Sequence, residues 1–181
     1  TNILHVGLPT NFKAAVFADP AHTDMLRQLE ADIAAVTIDG KDVPVKLRVY
    51  DSLFVPMAKW SMLLTGNYRC VEADGVRPIR DAVHGDIVAS TEMYGWVDAL
   101  ARQLGADPAD QVPFEKYANA ANGLLKPSSA ARAIDAGTDR IERVDRLVQM
   151  IGRGLGLQNQ QLDEIVAIVD ARLASNANFK K

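Results

Sequence analysis

Cysteine is nearly absent from this sequence: Cys70 is the single one among 181 residues. An intrachain disulfide and an all-cysteine metal site are therefore excluded, and a reducing compartment is favoured. Long apolar runs are absent too, since none approaches the roughly 18–20 residues that a membrane-spanning helix needs. Residues 1–7 lack the basic start and the length of a signal peptide. These absences predict a cytoplasmic protein with no membrane partner.

The sequence also lacks an excess of positive charge and a set of histidines at metal-ligand spacing. Its formal net charge is -3, with basic and acidic residues interleaved, so no broad positive field would attract a phosphate backbone. The three histidines, His5, His22 and His84, lie far apart in the chain. We therefore expect neither a nucleic-acid partner nor a bound metal.

Hydrophobic residues are plentiful, at 48%, and their spacing divides the chain into two main parts. The first part, residues 1–50, is predicted to contain β-like runs at 3–6 and 13–17, a helix over 21–35, a turn at Asp39-Gly40 and a strand over 43–49. This strand-strand-helix-strand segment is too small for a complete doubly wound sheet. It therefore indicates the remnant of an α/β cofactor domain.

The second part, residues 51–175, has helical periodicity. The pattern predicts helices around 53–64, 78–105, 140–155 and 162–174, followed by a frayed tail over 176–181. Gly152, Gly154 and Gly156 follow a helix rather than a strand, which predicts a helix cap and not a phosphate-binding loop. The predicted fold class is mainly α, preceded by a small α/β segment.

Several motifs of the helical part occur in a recognisable order. Residues 126–132 contain a serine pair, Asp135-Ala136-Gly137 is an Asp-x-Gly turn, and Glu142 precedes a helix that leads into a Gly-Leu step. Further upstream, Glu92 lies early in a long predicted helix that ends in Leu-Gly. In this order the motifs resemble those of the ketopantoate reductases (2-dehydropantoate 2-reductases).

The resemblance implies a helical domain like the C-terminal domain of 6-phosphogluconate dehydrogenase, preceded by the end of a Rossmann domain. It also implies an NADP-dependent oxidoreductase that reduces a small-molecule 2-keto acid and forms a homodimer. Most of the NADP site would belong to an N-terminal Rossmann half. Without that half, the resemblance implies, the helical domain is inactive.

Site residues follow from the same resemblance. In the family, a lysine and a glutamate assist hydride transfer, while asparagine and serine side chains hold the substrate. These roles carry over to Lys59 and Glu142 as catalytic residues, and to Asn67, Ser128 and Ser129 as substrate-binding residues. The glutamate and serine positions depend on a one-residue insertion between Gly137 and Glu142.

The catalytic lysine has two possible registers. The family pattern is Trp-x-Lys, with asparagines four and eight residues after the lysine, but Met62 lies two places after Trp60. With Lys59 as the lysine, Asn67 takes the place of the second asparagine and Leu63 that of the first. A different keto substrate, or the loss of activity, stays open.

Each site residue also has a plainer interpretation. Lys59 could be a solvated lysine whose stem covers apolar surface, and one of the two serines could cap a helix that begins near Ala130. Glu142 could be an exposed helix-start carboxylate paired with Arg146. Two further functions stay open as well: a helical self-association module without catalysis, and a related dehydrogenase of 2-keto or 3-hydroxy acids.

Overall fold

A computed structural model describes residues 10–179 of the chain. The protein is mainly helical, with 62% helix and 11% strand, as the hydrophobic spacing predicted. The chain divides into two compact units, the first ending at Met57 and the second beginning at Ala58. The sequence pattern had put this division between residues 50 and 51.

The first unit is a βαβ arrangement. Strand β1 (Thr10–Ala15) pairs in parallel with β4 (Val45–Tyr50), and helix α1 (Pro20–Ala35) connects them. A short hairpin, β2 (Thr37–Ile38) and β3 (Lys41–Asp42), is inserted before β4. Parallel neighbours require such a crossover because a tight turn can join only antiparallel strands.

The turn predicted at Asp39-Gly40 is confirmed. Both residues have positive φ, 52° for Asp39 and 72° for Gly40, as a two-residue hairpin turn requires. The strand predicted over 13–17 instead covers Thr10–Ala15, so the prediction was wrong for residues 16 and 17. The β-like run at 3–6 lies outside the described residues.

Helix α1 begins at Pro20, one residue before the start that the sequence pattern predicted. Asp19 caps it by accepting a 2.8 Å hydrogen bond from the Ala21 amide, and Pro20 occupies the first turn, where its missing N–H costs nothing. Arg27 joins the helix to β4 by donating 2.7 Å hydrogen bonds to the Val49 carbonyl and to Asp51. No residue of α1, which lies wholly within the described range, is buried.

The second unit is a bundle of short and long helices. Helix α2 (Phe54–Met57) still belongs to the first unit. The α- and π-helices of the second unit are, in chain order, α3 (Lys59–Met62), a π-helix (Leu63–Asn67), α4 (Ile79–His84), α5 (Ile87–Gln103), α6 (Phe114–Ala121), α7 (Ser129–Asp135), α8 (Val144–Gly154) and α9 (Gln160–Phe179). A small hairpin, β5 (Val71–Glu72) and β6 (Gly75–Val76), follows the π-helix. The sequence pattern missed α6, which has only eight residues.

One predicted helix, over 78–105, is in fact two. Helix α4 ends at His84, and the chain then passes through Gly85 to Asp86, whose extended backbone interrupts the helix. The Asp86 side chain accepts a 2.9 Å hydrogen bond from the Ala89 amide and so caps α5. An aspartate that bonds the backbone ahead of it competes with helix continuation, which the apolar spacing alone does not reveal.

The predicted frayed tail over 176–181 was wrong for residues 176–179. Helix α9 continues through Phe179 because Asn176 is anchored to the bundle. Its side-chain amide donates hydrogen bonds of 2.7 Å to the Ile134 carbonyl and 2.8 Å to the Thr138 carbonyl. These bonds join the last turns of α9 to the end of α7.

The core of the second unit lies where its helices meet. Its fully buried side chains come from the π-helix, α4, α5, α7, α8 and α9 and from Cys70, and include Leu64, Met93, Leu100, Ile134, Val148, Leu162 and Val169. Burying a side chain of this size contributes about 1.5–3 kcal/mol. The π-helix therefore sits at the centre of the unit rather than on its edge.

The glycine cluster forms the helix cap that the sequence predicted. The Leu157 amide donates a 2.8 Å hydrogen bond to the Gly152 carbonyl, and the Gly156 amide donates one of 3.1 Å to Arg153. Gly156 has φ +73°, the left-handed conformation that this cap requires. The cap ends α8 and turns the chain into α9.

Candidate functional site

A cleft of about 310 Å³ opens in the second unit. Its walls come from the π-helix, from the start of α7 and from the residues that lead into α8. The lining residues are Leu63, Asn67, Tyr68, Ser129, Ala130, Ile141, Glu142 and Val144. Three of the five residues implied by the family resemblance, Asn67, Ser129 and Glu142, therefore meet in one cleft.

The π-helix supplies one wall of this cleft. Leu63 and Asn67, its first and last residues, both line the cleft. Wider turns of this kind are rare and often lie at functional sites. The Cys70 thiol donates a 3.3 Å hydrogen bond to the Gly66 carbonyl, which helps satisfy the backbone at this end of the π-helix.

Tyr68 joins the π-helix wall to the wall that leads into α8. Its hydroxyl donates a 2.6 Å hydrogen bond to the Glu142 carbonyl and accepts one of 2.9 Å from the Val144 amide. The ring is buried, with 4% of its surface exposed, and burial raises the pKa of the Tyr68 hydroxyl. The Tyr68 hydroxyl therefore keeps, at neutral pH, the proton that it donates to the Glu142 carbonyl.

Ser128 joins the π-helix wall to α7. Its hydroxyl accepts a 3.1 Å hydrogen bond from the Ala131 amide, as a helix cap does, and donates one of 2.8 Å to the Asn67 carbonyl. The capping role expected for one of the two serines therefore belongs to Ser128. Ser129 is exposed and lines the cleft, so its hydroxyl is the one available to a ligand.

Glu142 is exposed at the cleft and precedes α8. The plainer interpretation paired it with Arg146, but Arg146 binds Asp170 instead, by hydrogen bonds of 3.1 and 2.5 Å. Within the described residues no lysine or arginine forms an ion pair with Glu142. Its carboxylate is therefore available to accept a hydrogen bond from a ligand.

Lys59 is not brought into the cleft. It is exposed at the first position of α3, and its carbonyl accepts a hydrogen bond from the Leu63 amide. The lysine thus lies one helical turn before a lining residue but does not itself line the cleft. Lys59 and Asn67 are close in the sequence motif. The geometry of the helices, however, determines which side chains line the same wall of the cleft.

An ion network fixes the start of α8 behind the cleft. Arg143 donates two hydrogen bonds, of 2.9 and 2.7 Å, to Asp145, which is fully buried, and a further one to Asp170 on α9. Burial raises the pKa of Asp170, but the hydrogen bonds from Arg146 and Arg143 outweigh it, and the net pKa is lowered. A buried carboxylate with a two-pronged guanidinium partner has little freedom to move.

Four of the lining residues are apolar: Leu63, Ala130, Ile141 and Val144. None of the eight lining residues, all within the described part of the chain, is cationic, and Glu142 is the acidic one. Sequence reasoning did not predict the other five lining residues: Leu63, Tyr68, Ala130, Ile141 and Val144. Tyr68 directly follows Asn67, but nothing in the pattern shows that its hydroxyl reaches the residues before α8.

Over residues 10–179, no three histidine, cysteine, aspartate or glutamate side chains group in a way that could hold a metal ion. None of the helices in the same range combines the length and the apolar character needed to cross a bilayer. Comparisons with protein-family models, with curated proteins and with solved structures found no match.

Proposed function

We propose that this chain is the substrate domain, with the end of the cofactor domain, of a ketopantoate-reductase-like oxidoreductase that uses NADP to reduce a 2-keto acid. The observation that supports the proposal is the meeting of Asn67, Ser129 and Glu142 in one cleft. These residues come from three separate segments of the chain. A resemblance based on chain order alone gives no reason for them to share a cleft.

Each group in the cleft has a role in such a reaction. The Asn67 amide and the Ser129 hydroxyl can donate hydrogen bonds to the carboxylate of a keto acid. The Glu142 carboxylate can orient a proton donor or a substrate hydroxyl, and a well-placed acid or base contributes about 10²–10⁴ in rate. Lys59 is proposed as the proton donor to the ketone oxygen, and its flexible side chain would have to reach the cleft.

The first unit suits the role of a cofactor-domain remnant. Strand β1 and helix α1 leave apolar side chains exposed: Phe12 on β1 is 54% exposed, and Met25 and Leu29 on α1 are 71% and 50% exposed. Parallel sheets are normally covered on both faces, so further strands and helices of a Rossmann half would complete this unit and carry NADP. The helical part would then have the fold of the 6-phosphogluconate dehydrogenase C-terminal domain, in a cytoplasmic homodimer.

The proposal can be tested by binding and by activity. In ¹⁵N–¹H spectra of this chain, 2-keto acids should shift the amides of residues around the cleft, and Asn67→Ala or Ser129→Ala should weaken the binding. Glu115→Gln changes an exposed residue of α6 away from the cleft and is the matched control. NADPH oxidation by the protein produced from its entire gene should fall by about 10²-fold or more in Glu142→Gln and Lys59→Ala.

The outcome that contradicts the proposal is a cleft whose amides do not respond to any 2-keto acid. Equal binding responses in Asn67→Ala, Ser129→Ala and the Glu115→Gln control would contradict it as well. A loss of activity in Glu142→Gln but not in Lys59→Ala would keep the reductase and remove Lys59 as its proton donor.

A helical self-association module is the second candidate function. Helix α8 favours it, because Leu147 and Met150, three residues apart, are 46% and 68% exposed. Residues at this spacing share one helix face. The self-association module is preferred over the reductase if two results are found together. Sedimentation must show a dimer that the double variant Leu147→Ser/Met150→Ser dissociates, and no 2-keto acid must bind the cleft.

A further inference from the structure

We infer that the cleft selects a 2-keto acid with an alkyl side chain over one with a hydroxylated side chain, and that Leu63, Ile141 and Val144 set this preference. The inference rests on the proposed function, since it names the substrate class of the same cleft.

The three residues form the aliphatic wall of the cleft. Leu63, Ile141 and Val144 all line the cleft, and all three are half-buried and packed against the main core of the second unit. Their branched aliphatic side chains carry no hydrogen-bonding atom. Because the core holds them, they cannot turn away from a polar ligand group at low cost.

The polar groups of the cleft leave few hydrogen-bonding partners for a hydroxyl on the side chain of the keto acid. The Tyr68 hydroxyl already donates to the Glu142 carbonyl and accepts from the Val144 amide. The Asn67 amide and the Ser129 hydroxyl are the groups proposed to hold the keto acid's carboxylate. A hydroxyl against the aliphatic wall would therefore lose its water without gaining a partner.

Glu142 is the remaining group that could accept a hydrogen bond from a ligand hydroxyl. Its side chain is exposed, so water competes for the carboxylate both before and after a ligand binds. A hydrogen bond exchanged between water and ligand in this setting gives little net affinity. The aliphatic wall therefore decides between the two substrate classes.

The size of the cleft limits the ligand as well. A volume of about 310 Å³ lies at the lower end of the range for small-molecule sites, about 300–1,000 Å³. A short branched keto acid fits this limit.

A matched pair of ligands tests the inference. The two are 3,3-dimethyl-2-oxobutanoate and its 4-hydroxy derivative, ketopantoate, which differ by one hydroxyl on one methyl group. We expect the alkyl compound to bind this chain about 10–100-fold more tightly in ¹⁵N–¹H titrations, the range over which an apolar pocket rejects an added hydroxyl.

Two variants assign the preference to the wall. Leu63→Asn should reduce the ratio of the two dissociation constants to near one or invert it, because the new amide can bond the hydroxyl. Val144→Thr adds a hydroxyl with little change of shape and should reduce the ratio too, which keeps the test decisive if Leu63→Asn does not fold. Leu147→Asn, on the exposed part of α8 and outside the cleft, is the control and should leave the ratio unchanged.

The outcomes separate this inference from the proposed function. If neither compound binds, the keto-acid cleft itself is rejected. If both bind and ketopantoate binds as tightly or more tightly, the cleft stands and the alkyl preference is overturned. If the alkyl compound is preferred but both wall variants keep the wild-type ratio, the assignment to Leu63, Ile141 and Val144 is overturned.

Discussion

The Tyr68 hydroxyl donates a 2.6 Å hydrogen bond to the carbonyl of Glu142, on the opposite wall of the cleft. The same oxygen accepts a hydrogen bond from the Val144 amide at 2.9 Å. One buried side chain therefore holds the backbone on both sides of Arg143, and with it the position of the Glu142 carboxylate. Tyr68 is a positioning residue of the cleft.

Tyr68→Phe should lower the free energy of unfolding by about 1–3 kcal/mol, because it leaves a carbonyl and an amide without their partner. The change is measured by urea denaturation, followed by the fluorescence of Trp60 and Trp96, both packed on the core of the second unit. An unchanged urea midpoint would contradict the role given to the hydroxyl. Tyr50→Phe, in the first unit, is the control.

The two neighbouring serines should respond differently to alanine. Ser128→Ala removes the cap of α7 and the donor to the Asn67 carbonyl, which should cost about 1–2 kcal/mol of stability. Ser129→Ala changes an exposed residue and should alter stability by no more than about 0.5 kcal/mol. Keto-acid binding should weaken in Ser129→Ala, and equal denaturation midpoints for the two variants would refute the assignment.

Two glycines of α8 make a second matched pair. A Cβ at Gly152 would lie 2.9 Å from the Trp96 ring and 3.1 Å from the Leu157 carbonyl, so Gly152→Ala should destabilise by about 1–3 kcal/mol. A Cβ at Gly154 would meet no described atom within 4 Å. Gly154→Ala should therefore be neutral or stabilising by up to about 1 kcal/mol. Thermal unfolding of both proteins distinguishes the two, and a reversed order would show that the helices adjust.

Stability should fall at alkaline pH partly through Tyr94. Burial, together with Asp98 and Glu115, raises the pKa of Tyr94 from 10.0 to about 12. Because the folded pKa is the higher one, the neutral hydroxyl stabilises the fold below pH 10, and this contribution is lost as the pH rises towards 12. The loss is about 1.4 kcal/mol per pH unit in that window.

Tyr94→Phe removes this titration together with the 2.8 Å hydrogen bond to the Val112 carbonyl. The variant should be less stable than the wild type by about 1 kcal/mol at pH 8. Between pH 10 and pH 11.5 the difference should shrink and then reverse sign, because the wild type loses more than about 1 kcal/mol over that window while the variant does not titrate there. Urea denaturation at each pH measures the difference. Stability curves that stay parallel over the whole range would rule out a titrating Tyr94.

Local signals in the sequence determined the class of the fold and several of its elements. Apolar spacing predicted the helical class, and it predicted the start of α1 to within one residue. The glycines from Gly152 to Gly156 gave the cap after α8. These features depend on neighbours within one or two turns of the chain, which a single sequence contains in full.

Tertiary structure decided the rest. The break at Asp86, the extension of α9 through Asn176 and the π-helix all depend on partners that the chain pattern does not identify. The cleft depends most on such partners. Tyr68 and Ser128 hold three distant segments together by hydrogen bonds to backbone carbonyls. Because every residue has a backbone carbonyl, the sequence does not show which one accepts the bond. The family resemblance suggested Lys59, Asn67, Ser128, Ser129 and Glu142 as site residues, but only the packing of the helices brings Asn67, Ser129 and Glu142 into one cleft and leaves Lys59 outside it. The sequence specifies which side chains a helix has. The direction in which each helix face points is determined by the core against which the helix packs.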